Sequence, residues 1–348
     1  MSGSEAFNPR VTKAWYIACH STELKSRPLR RKILGQPIVL FRGQGGTVGA
    51  LLDRCPHRGV RLSGGQVRDG QLQCPYHGWE FNTEGRCMRV PALVGEADRP
   101  NRCATRFAVR EQQGFVWVYA EPGEAPVGEP HRFAYADDPN YLVVRYDVRA
   151  KASVHAVAEN ALDVPHTGFL HAGLFRTDSN RNRIRCVVER HADRVECEYI
   201  GEPRPEGLVG RLLSPSGGVV THFDRFFLPS IVEVEYRIGD ENHIVVNGAC
   251  TPVDADDTRL YSVTAVRTRF PAWLLRPFVQ PVALWIFGQD RGILEEQTEV
   301  LHEVGNAAFV STEIDLLGPH ILKLLHRAAR GESGDSDNVY RTEVEMEV

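Results

Sequence analysis

The chain has 348 residues, enough for two domains of ordinary size with a hydrophobic core in each. Lysine and arginine (41) nearly balance aspartate and glutamate (45), and neither sign forms a long block. This distribution excludes an extended polyanion-binding surface, so no nucleic acid partner is expected. The polar first ten residues resemble no secretory signal, which predicts a cytoplasmic protein, with membrane association if its substrate is lipophilic.

The first 120 residues predict short β-strands. Residues 37–41 and 50–52 flank a glycine-rich turn and predict a hairpin, and residues 114–119 predict a further strand. The glycine cluster lacks the GxGxxG spacing and is followed by no helical pattern. It therefore predicts a flexible turn and no dinucleotide-binding loop.

A segment rich in proline, glycine and glutamate, residues 121–130, follows these strands. Such a composition between two patterned regions is typical of a linker. We therefore expect two domains, residues 1–125 and residues 126–348.

The second half predicts an α+β domain. Apolar and charged residues alternate along residues 232–238 and near residues 186–199 and 259–267, as in antiparallel strands with one solvated face. Residues 152–166 predict a helix, and the apolar segment before Gly331 predicts another, because glycine often ends helices.

The most apolar segment comprises residues 270–288. It contains Arg276, Gln280 and three prolines, so a membrane-spanning helix is not expected. We interpret the segment as a buried connector; the alternative is an apolar lip around a channel for a lipophilic substrate.

The eight cysteines differ in their neighbours. Two of them form Cys/His pairs, Cys55-x-His57 and Cys74-x-x-His77, separated by sixteen residues. The others have no cysteine or histidine at ligand spacing, which predicts small buried apolar side chains for Cys19, Cys87, Cys103, Cys186, Cys197 and Cys250.

The two Cys/His pairs predict a metal centre. Thiolates and imidazoles favour zinc or an iron–sulfur cluster over magnesium or calcium. Each pair offers one ligand of each type, which suits a [2Fe-2S] cluster with two cysteines on one iron and two histidines on the other; structural zinc is the alternative. Gly59 and Gly78 permit close approach of the backbone, and Pro56 and Pro75 stiffen the loops.

Three motifs carry a family resemblance. CPHRG (55–59), CPYHGW (74–79) and AWYIAC (14–19) resemble the Rieske domain of ring-hydroxylating oxygenase α subunits, nearest to the vanillate and dicamba O-demethylase-like and steroid-oxidising groups. The resemblance covers residues 14–120. It implies an all-β Rieske domain followed by a catalytic domain in which helices cover an antiparallel sheet, a helix-grip (START-like) fold.

A second constellation follows in the predicted helix. Asn160, Asp163, His166 and His171 lie at positions i, i+3, i+6 and i+11, and the first three can share a helix flank. A proline and a glycine make a continuous helix improbable here, and an unwound end would bring both imidazoles to one point. Two histidines and a distant carboxylate make a facial triad that leaves positions for dioxygen on ferrous iron.

The third ligand must come from elsewhere in the chain. Asp290 is the preferred candidate, because it directly follows an apolar, strand-like run; Glu295 and Glu296 are rivals. The resemblance implies that His166, His171 and Asp290 bind the mononuclear iron.

The resemblance also implies roles for the two remaining polar residues and for partners. Asp163 would bridge to the cluster of a neighbouring subunit and Asn160 would line the site, in a head-to-tail homotrimer. Because the chain has no flavin or nicotinamide motif, a separate NAD(P)H-dependent reductase is required, with or without a ferredoxin.

The expected function is that of a terminal oxygenase with dioxygen as co-substrate. The resemblance favours monooxygenation, by hydroxylation or oxidative demethylation, of a hydrophobic cyclic molecule. We favour a bulky, sterol-like polycycle, and the alternative is a small methoxy- or methyl-bearing aromatic. A Rieske electron-transfer protein without catalytic iron is the alternative from a different functional class.

Overall fold

The computed structural model describes residues 8–171, 182–203, 220–239, 242–305, 309–332, 334 and 339–347. Within them, the chain divides into two compact units. The first comprises Thr12–Arg132, and the second comprises residues 8–11 together with the chain from Phe133 onward. This division falls just beyond the proline-rich segment in which the sequence places the domain boundary.

The first unit is built from three small antiparallel sheets, in strand order β1-β10-β9, β2-β3-β4 and β5-β6-β7-β8. The strands are β1 (Trp15–His20), β2 (Leu29–Ile33), β3 (Gln36–Arg42), β4 (Val48–Leu52), β5 (Gln66–Arg68), β6 (Gln71–Gln73), β7 (Glu80–Phe81), β8 (Cys87–Arg89), β9 (Val109–Gln112) and β10 (Phe115–Tyr119).

The predicted hairpin is confirmed as β3 and β4, in which Ile38 pairs with Leu52 and Arg42 pairs with Val48. Its turn contains Gly45 and Gly46, which both have positive φ angles. The predicted strand at residues 114–119 is confirmed as β10.

A buried core in this unit holds the two motif cysteines. Cys55 and Cys74 pack among side chains from several strands, which include Val39, Phe41, Leu51, Leu72 and Phe81. The local hydrophobic core therefore fixes the starting point of each Cys/His loop.

The second unit contains an eight-stranded antiparallel sheet in the order β11-β17-β16-β15-β14-β13-β12-β18. The strands are β11 (Leu142–Ala150), β12 (Arg183–Arg190), β13 (Arg194–Ile200), β14 (Val220–Phe227), β15 (Ile231–Ile238), β16 (Asn242–Asp254), β17 (Asp257–Arg267) and β18 (Tyr340–Glu347). Those expected from alternating sequence are confirmed as β12, β13, β15 and β17.

Three α-helices accompany this sheet in the described part of the chain: α1 (Val154–Ala161), α2 (Ala272–Val304) and α3 (Gly318–Ala329). Val157 of α1 and Leu294 of α2 pack against Cys250 and Leu260 of the sheet. The expected combination of an all-β domain and a helix-covered antiparallel sheet is confirmed.

Helix α1 begins where the sequence predicts it, with Ser153 as N-cap; the Ser153 hydroxyl accepts a hydrogen bond from the amide of Ala156 at 3.1 Å. It ends at Ala161, and a 3-10 helix, Pro165–Gly168, follows. The predicted interruption of the helix is therefore confirmed, but the predicted extent to residue 166 is wrong. Of the three residues expected to share a helix flank, only Asn160 lies on α1.

The interpretation of residues 270–288 as a buried connector is wrong. Most of the segment forms the first half of α2. The apolar run before Asp290, which the sequence analysis interpreted as strand-like, is therefore also helical. Pro277 and Pro281 lie inside this helix, and both are exposed to solvent. None of the helices in the described part of the chain has the length and hydropathy needed to cross a membrane.

Candidate metal centres

The two Cys/His loops share one backbone design. In each loop, a glycine amide donates a hydrogen bond to the cysteine carbonyl four residues earlier, Gly59 to Cys55 at 2.9 Å and Gly78 to Cys74 at 3.2 Å. Both glycines have positive φ angles, 75° and 69°. The repeated turn explains why each motif needs glycine at this position.

The ligands of the two loops are brought together in two layers. Cys55 and Cys74 are buried, and their thiols lie close enough to interact. The rings of His57 and His77 lie closer to the surface, with their centroids 4.6 Å apart. The indole of Trp79 stacks on His57 at 4.8 Å and an interplanar angle of 5°, which restrains that ring.

The electrostatics of the loops match the chemistry of an iron–sulfur ligand set. Burial raises the pKa of the Cys55 thiol to about 11, but backbone amides of His57 and Arg58 point at its sulfur and favour the thiolate. Desolvation, with His77 and Arg58 nearby, lowers the pKa of His57 and favours the neutral imidazole that binds metals. Two sulfur donors inside and two imidazoles outside fit a [2Fe-2S] group of the Rieske type.

The second centre lies where α1 ends and α2 passes. His166 belongs to the 3-10 helix after α1, and His171 follows it; their Nε2 atoms are 3.3 Å apart. Oδ1 of Asp290, on α2, lies 3.0 Å from Nε2 of His171 and 3.6 Å from Nε2 of His166. Three donor atoms from separate turns of the chain therefore face one point.

The Nδ1 atom of each imidazole contacts the oxygen of a polar side chain. Nδ1 of His166 lies 3.2 Å from Oδ2 of Asp163, which also accepts a hydrogen bond from the backbone amide of His166. Nδ1 of His171 lies 2.7 Å from Oε1 of Gln289, so it donates to that oxygen. These bonds leave both Nε2 atoms as lone-pair donors toward the common point.

The carboxylate of Asp290 is buried, and burial raises its pKa, while His171, His166 and a hydrogen bond from Asn160 act in the opposite direction. Its Oδ1 is close to both imidazoles but makes no hydrogen bond of acceptable geometry. An oxygen that is buried beside two imidazole nitrogens but has no aligned donor fits a metal-ligand set.

The rival carboxylates lie elsewhere on the helix. Glu295 forms an ion pair with Arg291 at 4.0 Å, and Glu296 is exposed to solvent. Neither belongs to the group formed by the two histidines and Asp290.

Sequence reasoning missed Gln289. It directly precedes Asp290, and a ligating histidine usually needs an acceptor for its other ring nitrogen. That requirement is the only signal in the sequence, because the contact joins residues 118 positions apart.

Sequence reasoning also missed a buried ionic cluster on the sheet. His222 is 1 % exposed and lies between Glu202 at 2.7 Å and Asp224 at 3.0 Å. Tyr199 and Tyr236 lie on the two strands that flank His222, and both rings stack on its imidazole. Their centroids lie 4.4 and 3.9 Å from the centroid of the imidazole. Burial lowers the pKa of His222, but the two carboxylates outweigh burial and raise it to about 9.

His222 lies on the helix-covered face of the sheet. It pairs with Tyr236, which pairs with Ile244, and Ile244 pairs with Val266. Directly paired residues share a face, and Ile244 and Val266 pack against Leu275 of α2.

Comparisons with known proteins assign the two candidate centres to two different domains. The family model for the Rieske [2Fe-2S] domain matches residues 14–104. The model for the vanillate O-demethylase oxygenase C-terminal domain matches residues 150–331, more than half of the chain.

Two curated relatives illustrate the similarity. The vanillate O-demethylase oxygenase subunit of a Pseudomonas species is 37 % identical over 162 residues, which cover 46 % of this chain and 44 % of the relative. The oxygenase component of dicamba O-demethylase from Stenotrophomonas maltophilia is 33 % identical over 261 residues, 74 % of this chain and 66 % of the relative. The matched parts thus span about half to two thirds of these relatives.

A solved structure, dicamba monooxygenase bound to 3,6-dichlorosalicylic acid, superposes with a TM-score of 0.77 at 23 % identity, covering 92 % of this chain and 98 % of that one. At this identity the likeness shows the fold. Together with the matching domain models, it establishes that this chain belongs to the Rieske oxygenase family, with a Rieske [2Fe-2S] domain followed by a vanillate O-demethylase-type oxygenase domain.

Proposed function

We propose that the chain is the terminal oxygenase of a multicomponent system that inserts one oxygen atom of dioxygen into a hydrophobic cyclic substrate. The observation that carries this proposal is the convergence of His166, His171 and Asp290, whose donor atoms lie 3.0–3.6 Å apart, in a chain that also has a Rieske domain. A facial set of two imidazoles and one carboxylate leaves open coordination positions on ferrous iron, at which dioxygen can bind.

The residues proposed for the cluster are Cys55, His57, Cys74 and His77, and those proposed for ferrous iron are His166, His171 and Asp290. When bound, the cluster supplies single electrons and the ferrous iron supplies dioxygen activation. The chain's own groups orient the ligands: Trp79 restrains one cluster histidine by stacking.

Asp163 is proposed to position His166 and to link the iron site to a cluster. One of its oxygens accepts both bonds from His166, and a third of its side chain is exposed, so the carboxylate can accept a further bond. In a head-to-tail homotrimer, a cluster histidine of the neighbouring subunit would supply that bond. The electrons would come from a separate NAD(P)H-dependent reductase, directly or through a ferredoxin.

This role of Asp163 has a specific test. Asp163→Ala should retain the cluster and, at saturating ferrous iron, the mononuclear metal, but should lose turnover with the physiological reductase. Undiminished product formation by this variant would contradict the role. Asp163→Asn is the matched control, since it keeps an oxygen acceptor and should retain part of the activity.

An apolar substrate is proposed from the apolar character of α2, the helix that carries Asp290. The stripe of α2 that leads to Asp290 comprises Leu275, Val279, Ala283 and Phe287, and it packs over apolar side chains of the sheet. We favour a bulky, sterol-like polycycle. The printed names of the relatives, vanillate and dicamba O-demethylase, favour a methoxy-bearing aromatic as the second candidate.

A cytoplasmic setting is also part of the proposal. None of the eight cysteines forms a disulfide in the structure, as the reducing cytoplasm favours. Seven of them are buried; Cys103 is only half-buried, so the expectation that it is a buried apolar side chain is wrong.

The function is tested with reductase, NAD(P)H and a panel of sterols and methoxyaromatics. The expected result is substrate-dependent oxygen uptake together with a product that contains one atom from labelled dioxygen, measured by mass spectrometry. Asp290→Asn serves as the inactive control. Electron transfer through the cluster without product from any substrate, in a preparation that binds no third iron, would favour the electron-transfer alternative.

A further inference from the structure

The first half of α2 exposes a large apolar surface. Its solvent side, here called the outer face of α2, carries Trp273, Leu274, Phe278, Val282, Leu284 and Trp285. The exposed fractions reach 75 % at Trp273, 63 % at Phe278 and 54 % at Trp285. Isolated apolar residues on a surface need no explanation, but a contiguous patch with two tryptophans marks an interaction site.

The outer face is distinct from the side of α2 that packs on the protein. Leu275, Val279, Ala283 and Phe287 recur about every four residues and contact the sheet. The first half of α2 is thus apolar on both its packed and its solvent sides. A helix with this character is normally covered on both sides.

The charges in the segment that carries the outer face are of one sign. From Arg267 to Gln289 the sequence contains three arginines, Arg267, Arg269 and Arg276, and no aspartate or glutamate. The second half of the same helix is different, because it carries Glu295, Glu296, Glu299 and Glu303. The apolar surface and the positive charge therefore occur together at one end of the helix.

Tryptophan and phenylalanine flanked by arginine are the side chains that lie at a membrane–water interface. Arginine keeps its guanidinium among headgroups while its methylene stem covers apolar surface. A second copy that docks by a two-fold contact is a poorer partner, because this contact would bring the arginines of both copies together. The head-to-tail contact proposed above is instead the one at Asp163.

From this combination we propose that the outer face of α2 binds the surface of an anionic phospholipid bilayer, lying in the interface without crossing it. The inference rests on the proposed function, because the same helix carries Asp290 and its packed stripe leads to that residue. Docking of this helix would admit a lipophilic substrate from the bilayer to the iron site.

The experiment uses the purified full-length holoprotein and vesicles of phosphatidylcholine with or without phosphatidylglycerol. We expect the protein to co-sediment with the anionic vesicles and much less with pure phosphatidylcholine. The tryptophan emission should shift to shorter wavelength on binding, and lipids brominated on their acyl chains should quench it. Added salt should weaken the binding, because part of the attraction is electrostatic.

Two variants and one control locate the surface. Phe278→Glu combined with Trp285→Glu should lower binding to anionic vesicles by about tenfold or more, because each change removes apolar burial and adds a repelled charge. Arg269→Gln should lower binding to anionic vesicles only. Val300→Glu is the matched control: Val300 is 48 % exposed on the same helix but lies in its acidic half, so binding should be unchanged.

The outcomes separate this inference from the proposed function. The absorption spectrum of the cluster shows that each variant is folded, and turnover of a water-soluble substrate should persist in the double variant. Absence of binding to anionic vesicles, or equal binding by the wild type and the double variant, would overturn the inference. A change of oligomeric state in the double variant, with no vesicle binding by the wild type, would assign the face to a second copy and would also overturn it.

Discussion

Gln289 provides a test of the iron site that does not alter any proposed ligand. Its Oε1 accepts the hydrogen bond from Nδ1 of His171 at 2.7 Å, and His171 is almost fully buried. Gln289→Leu keeps a side chain of similar length and removes the acceptor. In this variant, the buried Nδ1–H group of His171 loses the acceptor at position 289. The hydrogen bond that restrains the orientation of its ring is therefore lost.

The magnitude follows from this geometry. Loss of a hydrogen bond that leaves a buried donor unsatisfied costs about 1–3 kcal/mol. Removal of a group that orients a metal-bound histidine weakens metal binding by about 10–100-fold, which corresponds to roughly 1.4–2.7 kcal/mol. The two estimates agree, so we expect the dissociation constant for ferrous iron to rise by about one to two orders of magnitude in Gln289→Leu.

The assay is anaerobic titration of ferrous iron into protein from which only the mononuclear metal has been removed, with competition by a chelator. The visible spectrum of the cluster is the internal control and should not change. Gln289→Glu restores an acceptor and should recover wild-type affinity or exceed it. Equal iron affinity in the wild type and in Gln289→Leu would refute the reasoning that this bond orients His171 for the metal.

Three further predictions concern the loops, the ionic cluster and the third ligand. A Cβ at Gly65 would overlap the carbonyl oxygen of Gln73, so Gly65→Ala should lower the free energy of unfolding by about 1–3 kcal/mol and reduce cluster content, whereas Gly64→Ala, with room for a methyl group, should do neither. The pKa of His222 is about 9 in the folded protein and about 6.5 in the unfolded chain. Protonated His222 therefore stabilises the folded state fully below about pH 6.5, and this stabilisation is lost as the pH rises through 9. Denaturant melts should show the stability difference between the wild type and His222→Gln shrink by about 3 kcal/mol over that range; a constant difference would contradict the assignment. Asp290→Asn should abolish tight binding of ferrous iron and leave the cluster spectrum unchanged, and unaltered iron binding would remove Asp290 from the ligand set.

The Rieske domain is the part of the molecule that the sequence predicts best. Its proposed cluster ligands occur in two short loops, and each loop contains the glycine and proline that its turn requires. The strands around it alternate or form short apolar runs. Local pattern and local structure agree here, so little depends on distant contacts.

Helix α2 shows why prediction failed elsewhere. A helix with apolar residues on both its packed and its solvent sides lacks the 3.6-residue periodicity that identifies amphipathic helices. Pro277 and Pro281 lie within this helix, where proline is normally unfavourable, and both are exposed. The sequence nevertheless selected Asp290 for the iron site on a strand-like interpretation, and the structure brings this residue to the two histidines from a helix.

The contacts that sequence reasoning could not supply are long-range polar contacts. Gln289 reaches His171, and Glu202 reaches His222, across distances in sequence that no local pattern encodes. Strand β18 was also missed, because its exposed positions are mostly charged and it pairs with β12 from the far end of the chain. Such contacts depend on the completed sheet.

The central claim is that one chain holds a two-iron, two-sulfide cluster and a separate catalytic iron. The most direct measurement is the iron and acid-labile sulfide content of the fully loaded protein, combined with electron paramagnetic resonance of the reduced cluster. We expect about three irons and two sulfides per chain, with the third iron lost in Asp290→Asn. Two irons in the loaded wild type would contradict the catalytic site, and zinc without sulfide would contradict both centres.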